Sequence, residues 1–306
     1  MKVQKESFHV VICTDYNYER YAIALAQQLV SRSNFQSKYV LHLHTLTIKG
    51  FRAVELDKFC KSIGLQHTVY EYDMEASTRE FLGAGHISSA AYLKIFIGSV
   101  LSEEIQYCTF MDLDIHVVTD PIELLRVQSS FAVSAVTHTD KWTHHPAFLS
   151  VDRNFHSGLM ALNLRAWRQD NLTTKFLESH QKYGSLPYAD NDLMVLSLSD
   201  FGIGWDEIPS KFNLVDCEEC REQLGELDPI IVHFAGAAKP WNSPFGGKFA
   251  RRYRAEFKEI FPKFQVSWQQ YSHYFAVSGI NFMYKLTVRP LLPFKGILIK
   301  FKRKPK

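Results

Sequence analysis

Several features are absent from the 306-residue sequence, and each absence argues against a class of protein. No glycine-rich loop follows the first apolar run, so the sequence has neither the G-x-G-x-x-G motif of dinucleotide oxidoreductases nor the Walker motif of P-loop kinases. No uninterrupted apolar run approaches the roughly 18 residues that a membrane-spanning helix needs. Residues 1–6 are charged and the apolar run after them is short, which does not match a signal peptide. We therefore expect a cytoplasmic protein.

Cysteine is scarce, and the number of cysteines, five, is odd. Cys13, Cys60 and Cys108 lie in apolar segments, where a reduced thiol packs as a small hydrophobic group. Cys217 and Cys220 form a single C-x-x-C pair, whereas a structural zinc site needs four ligands. The cysteines therefore fit a reducing compartment, and zinc binding is the less favoured interpretation of the C-x-x-C pair.

Acidic residues are missing from the C-terminal part of the chain. None follows Glu259, whereas nine basic residues do: Lys263, Lys285, Arg289, Lys295, Lys300, Lys302, Arg303, Lys304 and Lys306. Subtracting these nine from the 35 basic residues leaves 26 against 32 acidic ones, so residues 1–259 carry a net charge of about −6. A slightly acidic body is therefore followed by a basic tail.

Aromatic residues are interleaved with the basic ones in this tail, a composition that suits an anionic membrane surface. Pro290 and Pro293 interrupt any continuous helix, which weakens the simplest amphipathic-helix arrangement. Nucleic acid is the competing partner, but no RNA- or DNA-binding motif accompanies the charge, and a solvated tail is the alternative. We expect a main domain over residues 1–248 and a membrane-association region over residues 249–306.

Apolar periodicity predicts strands and helices in alternation. Strands are predicted at residues 8–14, 38–44, 67–72 and 107–111, with helices at 21–29, at 52–63 and from Ser88 or Ser89 onward. Later strands are predicted at 131–136, 158–164 and 230–234, and later helices from about Ala166 and over 188–196. This alternation predicts an α/β fold with a mostly parallel central sheet that is flanked by helices.

Asp112 and Asp114 follow the apolar run 107–111, and alternate side chains of an extended segment share a face. Two neighbouring carboxylates repel unless a positive charge lies between them, and a divalent cation is the usual one. The alternative is that acidic residues at a strand end begin a turn. The carboxyl end of a central strand is where ligands bind in open α/β sheets, and this favours the metal site.

His233 ends a late apolar run and could complete this site, because two carboxylate oxygens and one imidazole suit Mn²⁺ or Mg²⁺. Behind it, Gly236 would let backbone amides approach an anion, and Lys239 would add a positive charge. Both features have an ordinary alternative. His233 would then be a packed polar residue, and the segment from Gly236 to Lys239 would be a turn that Pro240 fixes. In combination with the aspartates, these residues describe a clamp for a metal ion and a diphosphate.

The spacing Asp112-x-Asp114 with the later His233-x-x-Gly236-x-x-Lys239 resembles glycosyltransferase family 8, which includes glycogenin and bacterial lipopolysaccharide galactosyl- and glucosyltransferases. Other segments are similar to the same family: Asp15-x-Asn17-Tyr18, His86-Ile-Ser88, Ala91-Tyr-Leu-Lys94 and Asp190-Asn191-Asp192. The resemblance covers about residues 8–245. It implies a nucleotide-sugar-binding domain of the type called GT-A and a reaction that retains the configuration of the transferred sugar.

The resemblance also implies roles for these residues. Asp112, Asp114 and His233 would hold Mn²⁺, or Mg²⁺ in its place, against the diphosphate of a UDP-hexose. The donor would be bound by Asp15 and Asn17 at the uridine, by Lys94, Asp112, Gly236 and Lys239 at the diphosphate, and by His156 at the transferred sugar. Catalysis would involve Asp190 and Asn191, and the acceptor would be bound by His86 and Tyr188.

Three positions depart from the residues that are usual in the family. Lys94 stands in place of Arg, and its side chain either reaches the diphosphate or is a solvated surface lysine. His156 stands in place of an Asn that faces the transferred sugar, which leaves the donor sugar open. Asn191 stands in place of Gln, and since a neutral amide is a poor nucleophile, we favour front-face departure and attack, with Asp190 orienting the sugar hydroxyls.

The sequence therefore predicts a metal-dependent retaining hexosyltransferase that moves galactose or glucose from a UDP-sugar to a glycan or lipid-linked saccharide of the bacterial surface, such as lipopolysaccharide. We expect it at the inner face of the cell membrane, bound peripherally, with no nucleic acid as partner. One alternative is a catalytically inactive, membrane-associated nucleotide-sugar-binding protein. A phosphatase of the haloacid-dehalogenase type is disfavoured, because that class has Thr or Val where this chain has His116 and places its motif on an early strand.

Overall fold

The computed structural model describes residues 5–33, 39–73, 89–138, 148, 151–215, 228–235, 239–243 and 247–265. Two of the predicted site residues, His86 and Gly236, lie outside the described residues, as do the C-x-x-C pair and residues 266–306. The chain divides into two compact units, Met1–Ala237 and Ala238–Lys306. The residues predicted to hold a metal all belong to the first unit.

The described strands are β1 (Glu6–Thr14), β2 (Tyr39–Ile48), β3 (Gln66–Tyr72), β4 (Tyr107–Met111), β5 (Ile115–Val117), β6 (Val133–His138), β7 (Asn154–Asn163), β8 (Asp206–Glu207), β9 (Leu214–Val215) and β10 (Ile231–His233). Seven of them form one sheet in the order β3-β2-β1-β4-β7-β6-β8. Four of its six pairings are parallel, and β7 runs antiparallel to both of its neighbours. The predicted mostly parallel central sheet is confirmed.

A second sheet of three strands has the order β5-β10-β9. β10 runs antiparallel to β5 and parallel to β9, so that His233 lies opposite Ile115 on one side and Val215 on the other. The late strand predicted from the sequence is therefore present as β10, outside the central sheet.

The described α-helices are α1 (Glu19–Arg32), α2 (Val54–Ser62), α3 (Ile97–Val100), α4 (Ile122–Leu125), α5 (Leu164–Gln169), α6 (Leu172–Tyr183), α7 (Ala189–Asp200) and α8 (Lys248–Ile260). A 3₁₀ helix over Ser89–Phe96 precedes α3, so the helix predicted from Ser88 or Ser89 begins as a 3₁₀ helix. Its residues from Ala90 to Phe96 are buried, Lys94 included, with only Ala91 half-buried. Among the described residues, no helix is long and apolar enough to cross a membrane.

An apolar core lies between the central sheet and the helices that carry site residues. Val11 of β1, Phe110 of β4 and Met160 of β7 are fully buried in one cluster with residues of the 3₁₀ helix and of α7. Because Lys94 belongs to the 3₁₀ helix and Asp190 to α7, this packing holds both near the carboxyl end of β4, where Asp112 follows.

Candidate functional site

The hydrogen bonding of two strand pairs brings Asp112, Asp114 and His233 together. Asp112 directly follows β4, and its backbone N–H donates to the Gly158 carbonyl oxygen of β7 at 2.8 Å. Asp114 directly precedes β5, which pairs with β10 and its His233. The Phe234 N–H donates to the Asp114 carbonyl oxygen at 2.9 Å, which ties the end of β10 to the aspartate. Residues far apart in sequence are thus neighbours.

Each of these three side chains offers one ligand atom, and the three atoms lie within 4.8 Å of one another. In the part of the chain that the structure describes, no other group of three His, Cys, Asp or Glu side chains has this geometry. His233 Nε2 is 3.1 Å from Asp114 Oδ1. Two carboxylates and an imidazole fit Mn²⁺ or Mg²⁺, so these residues form a candidate divalent-cation site.

Because Gly158 has no side chain, it leaves room for the side chains of Asp112 and His233. A Cβ atom added at Gly158 would overlap the His233 ring and would lie 2.8 Å from Asp112 Oδ2. A side chain at this position would therefore push the ligand atoms apart. No sequence motif indicates this role of Gly158, because only the strand register reveals what lies against it.

Lys94 lies between two carboxylates. Its Nζ is 2.7 Å from Asp190 Oδ2 and 3.2 Å from Asp112 Oδ1, and its side chain is 1% exposed. Burial alone would lower the pKa of Lys94, but the two carboxylates outweigh burial and raise it above the ordinary value. The alternative of a solvated surface lysine is therefore wrong, while contact between Lys94 and a diphosphate stays a prediction.

Asp112 lies in an unusual electrostatic environment. Burial raises its pKa and the nearby Asp114 adds to this, whereas the charges of Lys94 and His233 favour the carboxylate form. Its side chain is nevertheless 31% exposed, so a ligand can reach it. A cation at this position would offset the repulsion between Asp112 and Asp114.

Asp190 and Asn191 both contact Ser157, a residue that sequence reasoning missed. The Ser157 N–H donates to Asn191 Oδ1 at 2.8 Å, and Ser157 Oγ donates to Asp190 Oδ2 at 3.2 Å. Asp192 instead accepts a hydrogen bond from the Tyr188 N–H at 3.0 Å, at the start of α7. Burial raises the pKa of Asp192 to about 6. Two members of the Asp190-Asn191-Asp192 segment thus contact Ser157 in the site, and the third bonds to the backbone at the start of the helix.

His156 is buried beside the candidate metal ligands. The centre of its ring lies 5.6 Å from that of His233 and 4.5 Å from that of His138. Burial lowers the pKa of His156 well below its ordinary value, and the neighbouring His233 and His138 add to this. The imidazole is therefore neutral at neutral pH, and its contact with a sugar stays a prediction.

Asp15 and Asn17 form a turn directly after β1. The Asn17 N–H donates to Asp15 Oδ1 at 2.8 Å. Burial raises the pKa of Tyr18, and the charges of Asp114 and Asp15 add to this, so the phenol lies in the field of both carboxylates. The predicted uridine-binding turn therefore leads toward the candidate metal site, although no contact tests uridine binding.

Two predicted site residues remain, Tyr188 and Lys239. Tyr188 precedes α7 and is 39% exposed. Lys239 belongs to the second unit, where its N–H donates to Asn242 Oδ1 at 2.7 Å in a short turn. Asn213, which no motif indicated, has its side-chain oxygen 3.1 Å from His233 Nδ1.

The α/β fold matches that of glycosyltransferases of the GT-A type, and the Asp-Asp-His group is a candidate metal site within it. The protein-family model described as "Glycosyl transferase family 8" matches residues 9–244. The chain belongs to glycosyltransferase family 8. The phosphatase alternative is thereby set aside.

Relatives and solved structures agree with this assignment. The chain is 26% identical to General stress protein A of Bacillus subtilis over 264 residues, which cover 78% of the chain and 88% of that protein. It is 24% identical to a lipopolysaccharide 1,2-glucosyltransferase of Escherichia coli over 260 residues, or 78% of the chain and 74% of that protein. The crystal structure of the galactosyltransferase LgtC with donor and acceptor sugar analogues superposes with a TM-score of 0.67 at 17% identity, covering 82% of this chain and 95% of LgtC. At that identity, the structure supports the fold alone.

Proposed function

We propose that this glycosyltransferase is a retaining hexosyltransferase that uses a UDP-sugar, with galactose or glucose as the sugar, and that it builds a bacterial surface glycan such as lipopolysaccharide. The observation that carries the proposal is the convergence of Asp112, Asp114 and His233 in a family 8 chain. The relative named as a lipopolysaccharide glucosyltransferase, together with the LgtC structure with sugar analogues, supports the choice of donor and acceptor class.

The proposed cofactor is Mn²⁺, with Mg²⁺ as the alternative, and the fit of the donor set and the space left by Gly158 support a cation here. When bound, the metal supplies Lewis-acid stabilisation of the negative charge on the departing UDP. Asp112, Asp114 and His233 would hold it, and Lys239 with the backbone at Gly236 would contact the phosphates. Asp15 and Asn17 would bind the uridine.

Asp190 and Asn191 are proposed to act without a covalent intermediate. Asn191 Oδ1 accepts a hydrogen bond from the Ser157 N–H, and a neutral side-chain amide in that bond is a poor nucleophile. Asp190 is held by Lys94 and by the Ser157 hydroxyl, so its carboxylate has a fixed position from which it can orient sugar hydroxyls. This arrangement favours departure and attack on the same face of the sugar.

The acceptor is proposed to bind at Tyr188 and His86. Tyr188 lies two residues before Asp190 and is 39% exposed, so an aromatic ring is accessible at the start of α7, the helix that carries Asp190. Aromatic faces are suited to the apolar face of a sugar ring because they bury carbon surface without a polar group to satisfy.

The C-terminal region is proposed to attach the enzyme peripherally to the anionic inner face of the cell membrane. Helix α8 supports this only through its exposed basic residues, because its apolar face is buried within the protein. Its buried residues are Phe249, Ala250, Tyr253 and Phe257, and its exposed basic residues are Lys248, Arg251, Arg252 and Lys258. Basic residues near an anionic leaflet contribute about 1 kcal/mol each to binding.

The proposal is tested by UDP release from a panel of UDP-sugars with Mn²⁺, measured for the wild-type chain and for His156→Asn. We expect turnover of UDP-galactose or UDP-glucose, and a changed preference in the variant because His156 would face the sugar. Tight UDP binding without release would support the inactive binding protein instead. An unchanged donor profile in His156→Asn would remove this residue from the sugar pocket.

A further inference from the structure

Both ring nitrogens of His233 have defined neighbours. Nε2 lies 3.1 Å from Asp114 Oδ1, in the candidate metal group, whereas Nδ1 lies 3.1 Å from the side-chain oxygen of Asn213. Asn213 and His233 are 3% and 4% exposed, so water does not compete for this contact. The ring is therefore held between the metal group and one buried amide.

The backbone around Asn213 is fixed. Asn213 follows a 3₁₀ turn at Ser210–Phe212 and directly precedes β9, which runs parallel to β10. The Asn213 N–H donates to the Ser210 carbonyl oxygen at 3.1 Å, and the Ile230 N–H donates to the Lys211 carbonyl oxygen at 2.8 Å. The strand pairing thus sets the amide opposite the histidine ring.

We propose that Asn213 is a positioning residue for the metal ligand His233: its Oδ1 accepts the Nδ1–H of the ring, so that Nε2 is the nitrogen presented to the cation. This inference rests on the proposed metal site. A neutral imidazole carries one ring proton, and coordination through Nε2 leaves that proton on Nδ1. A buried N–H without an acceptor is costly, and Asn213 supplies the acceptor. Such partners orient a ligating histidine and raise its basicity.

The first test measures Mn²⁺ affinity in the presence of UDP, by electron paramagnetic resonance of free Mn²⁺, in the full chain. Asn213→Leu has a similar volume but no acceptor, whereas Asn213→Asp retains one. We expect the Leu variant to bind Mn²⁺ about 10–100-fold more weakly and the Asp variant to bind it at least as tightly as wild type.

A matched control is Asn163→Leu. Asn163 is also buried, but it caps α5 by accepting the Ala166 N–H at 3.0 Å. Its loss should lower stability without changing Mn²⁺ affinity, which separates a general loss of stability from a loss of positioning.

A second readout observes the hydrogen bond itself. With ¹⁵N-labelled histidine and diamagnetic Mg²⁺ plus UDP, the His233 Nδ1–H should exchange slowly with solvent in wild type and in Asn213→Asp, and rapidly in Asn213→Leu. Equal Mn²⁺ affinity in wild type and Asn213→Leu, or an equal loss in the Leu and Asp variants, would overturn the inference and leave the proposed function intact. A wild-type chain that binds no Mn²⁺ would overturn the metal assignment and this inference with it.

Discussion

At the scale of single residues, a substitution of Gly158 tests the geometry of the candidate metal site. Gly158→Ala adds a Cβ that would overlap the His233 ring, so we expect Mn²⁺ affinity to fall by at least about tenfold, as when a ligand's orientation is lost. Calorimetric titration of Mn²⁺ with UDP measures the change.

Gly247→Ala is a suitable control for this substitution, because a Cβ added at Gly247 meets no atom within 4 Å. We expect the control to bind Mn²⁺ like wild type. If Gly158→Ala does the same, the ligand atoms are not arranged around Gly158 as described.

The residues that the sequence could and could not identify differ in the kind of signal they carry. Asp112, Asp114 and His233 are chemically distinctive residues at strand ends, so type and position sufficed to group them. Ser157 acts through two hydrogen bonds from β7 to α7, and Asn213 through one hydrogen bond to His233 of β10; these contacts depend on tertiary packing and strand register, which no local pattern encodes.

At the scale of elements, β1 and β2 contain three histidines in mutual contact. His9 Nδ1 is 2.9 Å from His44 Nε2, and the rings of His9 and His42 stack at 4.9 Å. Burial and a neighbouring histidine lower the pKa of His9 to about 4 and that of His44 to about 3. The folded protein resists protonation that the unfolded chain accepts near pH 6.5, so the free energy of unfolding should fall as the pH drops below about 6.5.

Urea unfolding between pH 7.5 and 5 measures this dependence. Each proton bound only by the unfolded chain lowers stability by about 1.4 kcal/mol per pH unit, so His44→Gln should flatten the curve by a slope of this order. Half-buried His9 contributes less, because solvent screens it. Asp192, whose pKa is raised to about 6, acts in the opposite direction but is common to both proteins. A variant curve parallel to that of wild type would contradict the account.

Element prediction succeeded where periodicity decides the structure and failed where long-range pairing does. The run predicted at 107–111 is β4, with the same bounds. β5 is only three residues long and follows Asp114 without any periodic signal, yet its pairing with β10 brings His233 into the site. The antiparallel direction of β7 and the 3₁₀ form of Ser89–Phe96 were likewise not readable from apolar spacing.

At the scale of the whole molecule, we expect membrane binding to depend on the basic tail and catalysis not to. Removing residues 285–306 deletes eight of the nine basic residues that follow Glu259. We expect the shortened chain to lose binding to vesicles that contain anionic lipid and to retain UDP-sugar hydrolysis. A shortened chain that still sediments with the vesicles would show that attachment does not depend on this segment.

The central claim is that Asp112, Asp114 and His233 hold the cation on which sugar transfer depends, and Asp114→Asn tests it most directly. We expect Mn²⁺-dependent UDP release from the preferred UDP-hexose to fall more than about 100-fold, the scale of losing one charge-stabilising group. Asp73→Asn, which changes an exposed aspartate paired with Lys49, should keep wild-type activity. Full activity of Asp114→Asn, or wild-type turnover that persists after metal removal by a chelator, would contradict the account.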